Sequence, residues 1–352
     1  ILLAKLRSRG IVGPLLSWIA DYLRNRVQRV RIYDALSYPE PIRSGVIQGS
    51  VLGPLFFVIF VDDLDRCVSS SLLVKYADDM KLSLPFYVDD VNAASIAVYS
   101  ESLQRDLMSV ESWSNLNGLS LNVIKCKTLH FGSRNPHHQY MLSGLTLEQC
   151  NEFKDLGVIL SKSLNFKVHV SRTVSKASRM LGMLKKSFCS RDPLLFLILY
   201  KSFVRSILEY SCVLWAPHNK GLIFSIEKVQ KRFCRFFKHL NGLDYRSKLA
   251  NLNLLSLEAR RLRYKLIFLY KMMNGLVDLP VNELCTFSGR LYSPHPYDRL
   301  LVPHSKHSYR AHFFLVDVVP HWNSMFISER KVDNVSQFKK SVASYFTRND
   351  IW

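Results

Sequence analysis

Residues 72–84, LLVKYADDMKLSL, alternate apolar and β-branched residues with others on both sides of an adjacent aspartate pair, Asp78–Asp79. Period-two alternation interrupted by a turn-forming dipeptide is the pattern of two short strands joined at that pair. A sheet element therefore belongs in the first half of the chain. Around it the texture is mixed. Residues 14–25 (PLLSWIADYLRN) predict a helix, with Pro14 at its start and Leu15, Trp18, Ile19 and Tyr22 on one face. Arg26 to Tyr33 (RVQRVRIY) alternates basic and apolar residues, which predicts a half-buried strand with a basic outer face. Leu52 to Cys67 predicts a largely buried helix. Tyr99, Leu103, Leu107, Val110 and Trp113 mark one face of a long helix ending near Gly118. LSLNVIKCKTLHFG and FKDLGVIL are strand candidates. From about residue 166 helical patterns take over, at 167–188, 193–213, 221–239 and 255–274. The class expected is α+β: a mixed first half, then a helical second half.

Charge separates the halves further. The chain carries 48 Lys and Arg against 28 Asp and Glu. Residues 161–275 alone hold 23 Lys and Arg against 5 acids, nearly all of the excess. The cations are dispersed, as in Arg172, Lys176, Arg179, Lys185 and Lys186, so they read as a basic helical surface and not as a polybasic tail. Such a surface fits a polyanionic partner, nucleic acid above all, and the plainer alternative is a solvated helix face. The 7 Cys are scattered with no CxxC, which points to reduced thiols inside a cell, in cytoplasm or nucleus, and not to secretion. Apolar stretches such as Val51 to Val61 fall short of the roughly 18 residues needed to span a bilayer.

Two adjacent carboxylates raise each other's pKa unless a cation is near. Mg²⁺ prefers carboxylate oxygens with phosphate and water, so Asp78–Asp79 suits a phosphoryl-transfer site. On the dipeptide alone an exposed Asp–Asp turn is the plainer reading, because turns favour Asp.

The order of segments resembles the reverse transcriptase of non-LTR, LINE-type retrotransposons of the jockey-like kind. SGVIQGSVLGPLFFVIFVDDL resembles motif B of that family, KYADDMKLS motif C, LNVIKCKTLHFG motif D and FKDLGVILSKSLNF the primer-grip motif E. LYKSFVRSILEYSCVLWAP and IEKVQKRFCRF resemble its thumb and following helices, and HWNSMF an element near its end. The resemblance implies an incomplete right-hand polymerase. Residues 1–160 would hold partial fingers and palm with an antiparallel sheet, 161–275 a basic helical thumb and connection, and 276–352 a C-terminal extension. It implies Asp78 and Asp79 as metal-holding catalytic residues for Mg²⁺, and Gln48 and Gly49 as the floor under nucleotide and template. Lys125 would stand near the departing pyrophosphate, and an exposed strand lysine is its equal alternative. Leu156 and Gly157 would grip the primer. The implied partners are an RNA template, a DNA primer and dNTPs, with no membrane.

Ile47 stands where the family usually has Pro, and Asp155 where it usually has Tyr. The family's other metal-binding Asp, in motif A, would lie upstream of Ile1. The chain is therefore expected to be a fragment, inactive alone and poorly soluble because its sheet edge would be unpaired. A non-catalytic nucleic-acid-binding remnant is the alternative, and a polymerase copying RNA into RNA ranks below both.

Overall fold

A computed structural model of the chain describes residues 1–42, 44–85, 93–132, 135–188, 192–287, 299–302 and 313–352. It forms two compact units, Ile1–Cys150 and Asn151–Trp352.

In the first unit, helices α1 (Leu2–Ser8), α2 (Gly13–Leu23) and α3 (Leu52–Val61) share a small core of Leu6, Leu16, Ile19 and Phe56. Pro14 lies in the first turn of α2, where its missing N–H costs nothing. Between α2 and α3 the chain forms an antiparallel ribbon: β1 (Val27–Gln28) pairs with β4 (Glu40–Pro41), and β2 (Arg31–Ile32) with β3 (Ala35–Leu36). This segment is exposed on both faces, which corrects the half-buried strand expected for Arg26 to Tyr33. Its alternation never meets a core. The apolar run Leu52 to Cys67 is likewise less buried than its composition suggests. It splits into α3 and a 3-10 turn, Asp62–Cys67, and Leu55 and Val58 stand 52% and 57% exposed.

The expected hairpin is present. β5 (Leu72–Tyr76) pairs antiparallel with β6 (Asp79–Ser83), from Leu72↔Ser83 to Tyr76↔Asp79. Leu73, Met80 and Leu82 pack on Val61, Leu64, Val110 and Trp113. Val110 and Trp113 come from the long helix α4 (Ala93–Asn117), which ends at Gly118 as its apolar spacing predicted. LSLNVIKCKTLHFG yields only a 3-10 turn, Val123–Lys125, and the short strand β7 (Lys127–Leu129), which pairs parallel with β10 (Glu148–Cys150). β8 (Met141–Leu142) and β9 (Leu145–Thr146) form a small hairpin between them. Among the described residues every sheet has two strands.

The second unit begins with the hairpin β11 (Glu152–Asp155) and β12 (Val158–Ser161). Helix α5 (Lys167–Ser187) buries Val170, Thr173, Ala177, Leu181 and Leu184. Those positions recur every three or four residues, so the opposite stripe, with Arg172, Lys176, Arg179 and Lys186, faces solvent. The helical run expected at 193–213 is interrupted. α6 (Pro193–Leu199) passes through a π-helical turn, Tyr200–Arg205, into α7 (Ser206–Glu209), and Ser211 at φ 50° separates it from α8 (Cys212–Trp215). Asp192 caps α6 by accepting from the N–H groups of Leu194 and Leu195. α9 (Lys220–Cys234) and α10 (Tyr245–Asn251) complete one core around Trp215, Ile226 and Phe233.

Helix α11 (Leu257–Met273) starts where the Ser256 hydroxyl accepts from Ala259 and the buried Glu227 carboxylate accepts the Leu257 N–H. A negative charge at that end complements the helix dipole. Helices Phe314–Ser324 and Val335–Arg348 pack on α11 through Trp322 and Phe338 in a second core. Among the described residues no helix is long and apolar enough to cross a membrane.

Candidate active site

Asp78 and Asp79 lie at the tip of the β5–β6 hairpin, both exposed. Ala77, first in the two-residue turn, sits at φ 51°, a left-handed conformation costly for a residue with a Cβ. The turn is held by its flanks. The Lys75 ammonium donates to the Val61 carbonyl at 3.0 Å and to the Asp65 carboxylate at 2.8 Å, tying β5 to the end of α3. Beneath the turn a cavity of about 210 Å³ is lined by Phe57, Val58, Val61, Asp62, Asp65, Lys75 and Ala77.

Three aspartates line that edge of the unit and each has a cation. Asp62 pairs with Arg9, Asp65 with Lys75, and Asp63 with Lys5 at 2.7 Å. Asp63 also accepts from the Trp113 indole at 3.1 Å. Burial raises the Asp63 carboxyl, but the Lys5 hydrogen bond and charge, aided by Trp113, hold it below the usual carboxylate range. These acids are engaged in structure; Asp78 and Asp79 project into solvent.

The loop before β5 is fixed from α4. Asp106, only 2% exposed, accepts the backbone N–H groups of Ser69, Ser70 and Ser71. Burial raises its pKa, and those donors outweigh it, leaving it below the ordinary value. The motif and periodicity reading passed over Asp106. An acid inside a helix's apolar stripe is the one signal that could have found it.

Gln48 and Gly49 occupy the turn before α3, both exposed, with Gly49 at φ +78°. That turn is pinned by residues the motif reading passed over. The Ser50 hydroxyl donates to the Ile47 carbonyl at 2.7 Å and accepts from the Gly53 N–H at 3.0 Å. A Cβ on Gly53 would sit 2.7 Å from the Ile47 oxygen, so only glycine permits this approach. α3 has ten residues, about 15 Å of rise, with the Gln48–Gly49 turn before its first residue and the cavity beneath Ala77 against its last turns. Gln48 does not line that cavity, whose lining carries Asp62 and Asp65 beside the single Lys75. Lys125 ends the 3-10 turn with its side chain exposed.

In the second unit, Leu156 and Gly157 form the β11–β12 turn at φ 42° and 87°. Two consecutive positive φ values match the twist of a tight hairpin. The Tyr210 hydroxyl donates to the Leu156 carbonyl at 2.9 Å, and its ring would stand 3.1 Å from a Cβ on Gly157. Asp155 pairs with Val158 at the hairpin's end.

The basic texture of 161–275 resolves into two kinds of cation. Arg172, Lys176, Arg179, Lys185, Lys186, Lys228, Arg232, Arg235 and Lys238 are exposed. Arg260 instead forms a largely buried ion pair with Glu209, which Arg205 also approaches, and Lys265 pairs with Asp317.

The oxygen donors of Asp78 and Asp79 suit a hard divalent ion, which commonly takes one or two protein carboxylates and completes its shell with phosphate and water. Among the described residues no three His, Cys, Asp or Glu side chains gather to hold a metal by themselves.

Comparison with known proteins adds to this geometry. Residues 1–160 match the family model described as "Reverse transcriptase (RNA-dependent DNA polymerase)". A Drosophila melanogaster protein named "Probable RNA-directed DNA polymerase from transposon BS" is 28% identical over 236 residues, which cover 63% of this chain and 25% of that protein. The RNA-directed DNA polymerase from mobile element jockey of the same fly is 24% identical, over 62% of this chain and 24% of its own length. Its counterpart in Drosophila funebris is 25% identical, over 63% and 23%. The chain thus spans about a quarter of the length of these curated relatives. No solved structure matches it.

Proposed function

We propose, since residues 1–160 of this chain belong to the reverse transcriptase family in its LINE-type branch, that the chain is part of an RNA-directed DNA polymerase extending a DNA 3′ end on an RNA template with dNTPs. The β5–β6 hairpin is its palm turn. The observation that carries this reading is the exposed Asp78–Asp79 pair on a turn that Lys75 and Asp106 hold in place. Asp78 and Asp79 would hold Mg²⁺, which when bound supplies charge neutralisation for phosphoryl transfer. The chain's own residues do the positioning. Lys75 and Asp106 set the height and angle of the turn. Ser50 and Gly53 shape the Gln48–Gly49 turn toward nucleotide and template, Lys125 offers a cation for the leaving pyrophosphate, and the Leu156–Gly157 turn, braced by Tyr210, grips the primer.

The right-hand arrangement, with fingers and palm at 1–160, a thumb and connection at 161–275 and an extension at 276–352, belongs to the same proposal. Primer extension tests it. The chain joined to a reverse transcriptase segment that carries motif A should make cDNA on an RNA template only when Mg²⁺ is present. An extension activity indifferent to Asp78→Ala would sink the assignment.

A second reading has its own observation, the exposed cation stripe of α5. The chain alone would then bind nucleic-acid backbone without catalysis, and its affinity would fall steeply with added salt through counterion release. Salt-insensitive binding would remove that reading.

A further inference from the structure

The ribbon between α2 and α3 is built unlike the rest of the first unit. Residues 24–41 are exposed without exception, although they include Val27, Val30, Ile32, Leu36 and two tyrosines. Tyr33 and Tyr38 are 92% and 91% exposed. A two-stranded ribbon with no buried face is marginal in water by itself. Here it is nonetheless closed by hydrogen bonds: the Ser37 N–H donates to the Val30 carbonyl and the Val30 N–H to the Ser37 hydroxyl, both at 2.9 Å, and the Ile42 N–H reaches the Arg26 carbonyl at 2.8 Å.

Its charge is one-sided. Arg24, Arg26, Arg29 and Arg31 stand against Asp34 and Glu40 within the segment, and none of the four arginines has an acidic partner among the described residues. The ribbon also continues an aromatic stack on α2. Trp18, 55% exposed, lies on Tyr22 with ring centres 5.8 Å apart and planes 18° from parallel, and the Arg26 guanidinium stands 5.5 Å from the Tyr22 ring centre. Exposed aromatics beside arginines that have no acids to neutralise them combine two chemistries. A ring stacks on bases of any identity, and the cations follow a phosphate backbone.

We propose that Trp18 and the ribbon arginines form a binding platform for single-stranded RNA, separate from the Asp78–Asp79 turn. Bases stack on Trp18, and Arg26, Arg29 and Arg31 track the phosphates. Charge complementarity selects a polyanion and the exposed stack selects unpaired bases. The choice of RNA rests on the polymerase reading above. A strand held here would be fixed by the same small core, Leu16, Ile19 and Phe56, that seats α3 and its Gln48–Gly49 turn.

The test is fluorescence anisotropy of the full chain with a labelled 20-nucleotide single-stranded RNA, and with the same RNA as a duplex, over a salt series. Trp18→Ala should weaken single-strand binding by about tenfold or more, and Trp18→Phe should restore most of it. Arg26→Gln, Arg29→Gln and Arg31→Gln together should lower the slope of log affinity against log salt by about 2, at roughly 0.7 per phosphate contact. Because all three sit on an exposed ribbon, the melting temperature of that variant should match the parent's. The proposal is overturned if both variants bind within twofold of the parent with the same slope, which would place binding on the basic helices alone. Equal or tighter binding of duplex overturns it too, as does a dimer joined through the ribbon that RNA does not displace. Asp78→Asn separates this from the polymerase reading, since it should stop primer extension by the chain joined to a motif A segment and leave RNA binding by the chain alone unchanged.

Discussion

Ser71 donates its backbone N–H to the Asp106 carboxylate across 2.7 Å, and the N–H groups of Ser69 and Ser70 reach the same carboxylate at 3.0 Å. This contact fixes the loop that delivers β5, and through β5 the aspartate turn, to the side of α4. Asp106→Ala would strand three backbone donors in a site that is 2% exposed. The expected loss is about 2–3 kcal/mol, since orphaned donors cost roughly 1–3 kcal/mol each and the loop can rehydrate part of them. Denaturant melts of parent and variant measure it.

The same carboxylate gives a pH dependence. Its folded pKa lies below the unfolded value of about 3.9, so the stability it contributes is present above about pH 4 and is lost as pH falls through the folded value. The stability gap between parent and Asp106→Asn should therefore be full at pH 7 and close in acid. A gap that widens on acidification would contradict the assignment.

Gly53→Ala should shift the Gln48–Gly49 turn, because the new Cβ would stand 2.7 Å from the Ile47 oxygen, and backbone cannot swing away as a side chain can. A cost of about 1–3 kcal/mol is expected, the range for overpacking. Gly182→Ala, where nothing lies within 4 Å, is the control that should leave the melting temperature unchanged or raise it.

At the β11–β12 turn, Gly157→Ala combines a positive φ of 87° with the Tyr210 ring at 3.1 Å. It should cost about 1–3 kcal/mol. Tyr210→Phe, which only removes the hydrogen bond to Leu156, should cost about 1 kcal/mol or less, because the tyrosine is 56% exposed. Equal losses from the two variants would mean the turn is not braced as described.

Burial pushes the Cys212 thiol up to about 12 and the Cys234 thiol up to about 11. Neither should react with iodoacetamide at pH 8 until the second unit unfolds, since the thiolate is the nucleophile. Peptide mapping after native and denatured labelling checks this, and native labelling of either would contradict the packing of α8 and α9.

The β5–β6 hairpin leaves Leu72, Val74 and Tyr76 on an exposed face, at 63%, 44% and 64%, and among the described residues no third strand pairs with it. Such an edge invites association. Val74→Lys should raise the concentration at which the chain stays monodisperse in light scattering.

How far the sequence carried this picture depended on whether a pattern met a core. The alternation around Asp78–Asp79 and the apolar stripe of α4 each had one, because Leu73 and Leu82 pack on Val110 and Trp113, and both elements formed as read. Arg26 to Tyr33 alternates equally well but meets no core, so its burial was misread. In LNVIKCKTLHFG the Asn122 side chain accepts from the Lys125 N–H, and that local bond turned an expected strand into a 3-10 turn. At the candidate site the placement of Asp78–Asp79 at a strand turn was legible from the alternation around the pair. Asp106, Gly53 and Tyr210 were not, because each acts through a contact between segments far apart in the chain. Part of the basic surplus was also misleading: Arg260 and Lys265 serve internal ion pairs and leave the outer face to α5 and α9.

The most direct test is Mg²⁺-dependent primer extension on an RNA template, comparing the chain joined to a reverse transcriptase segment that carries motif A with its Asp78→Asn and Asp79→Asn variants. The account predicts that Asp78→Asn lowers the extension rate at least about a hundredfold, the scale on which a single charge-stabilising contact to a transition state is lost, while RNA binding stays within twofold. Extension at the parent rate in both variants would contradict it.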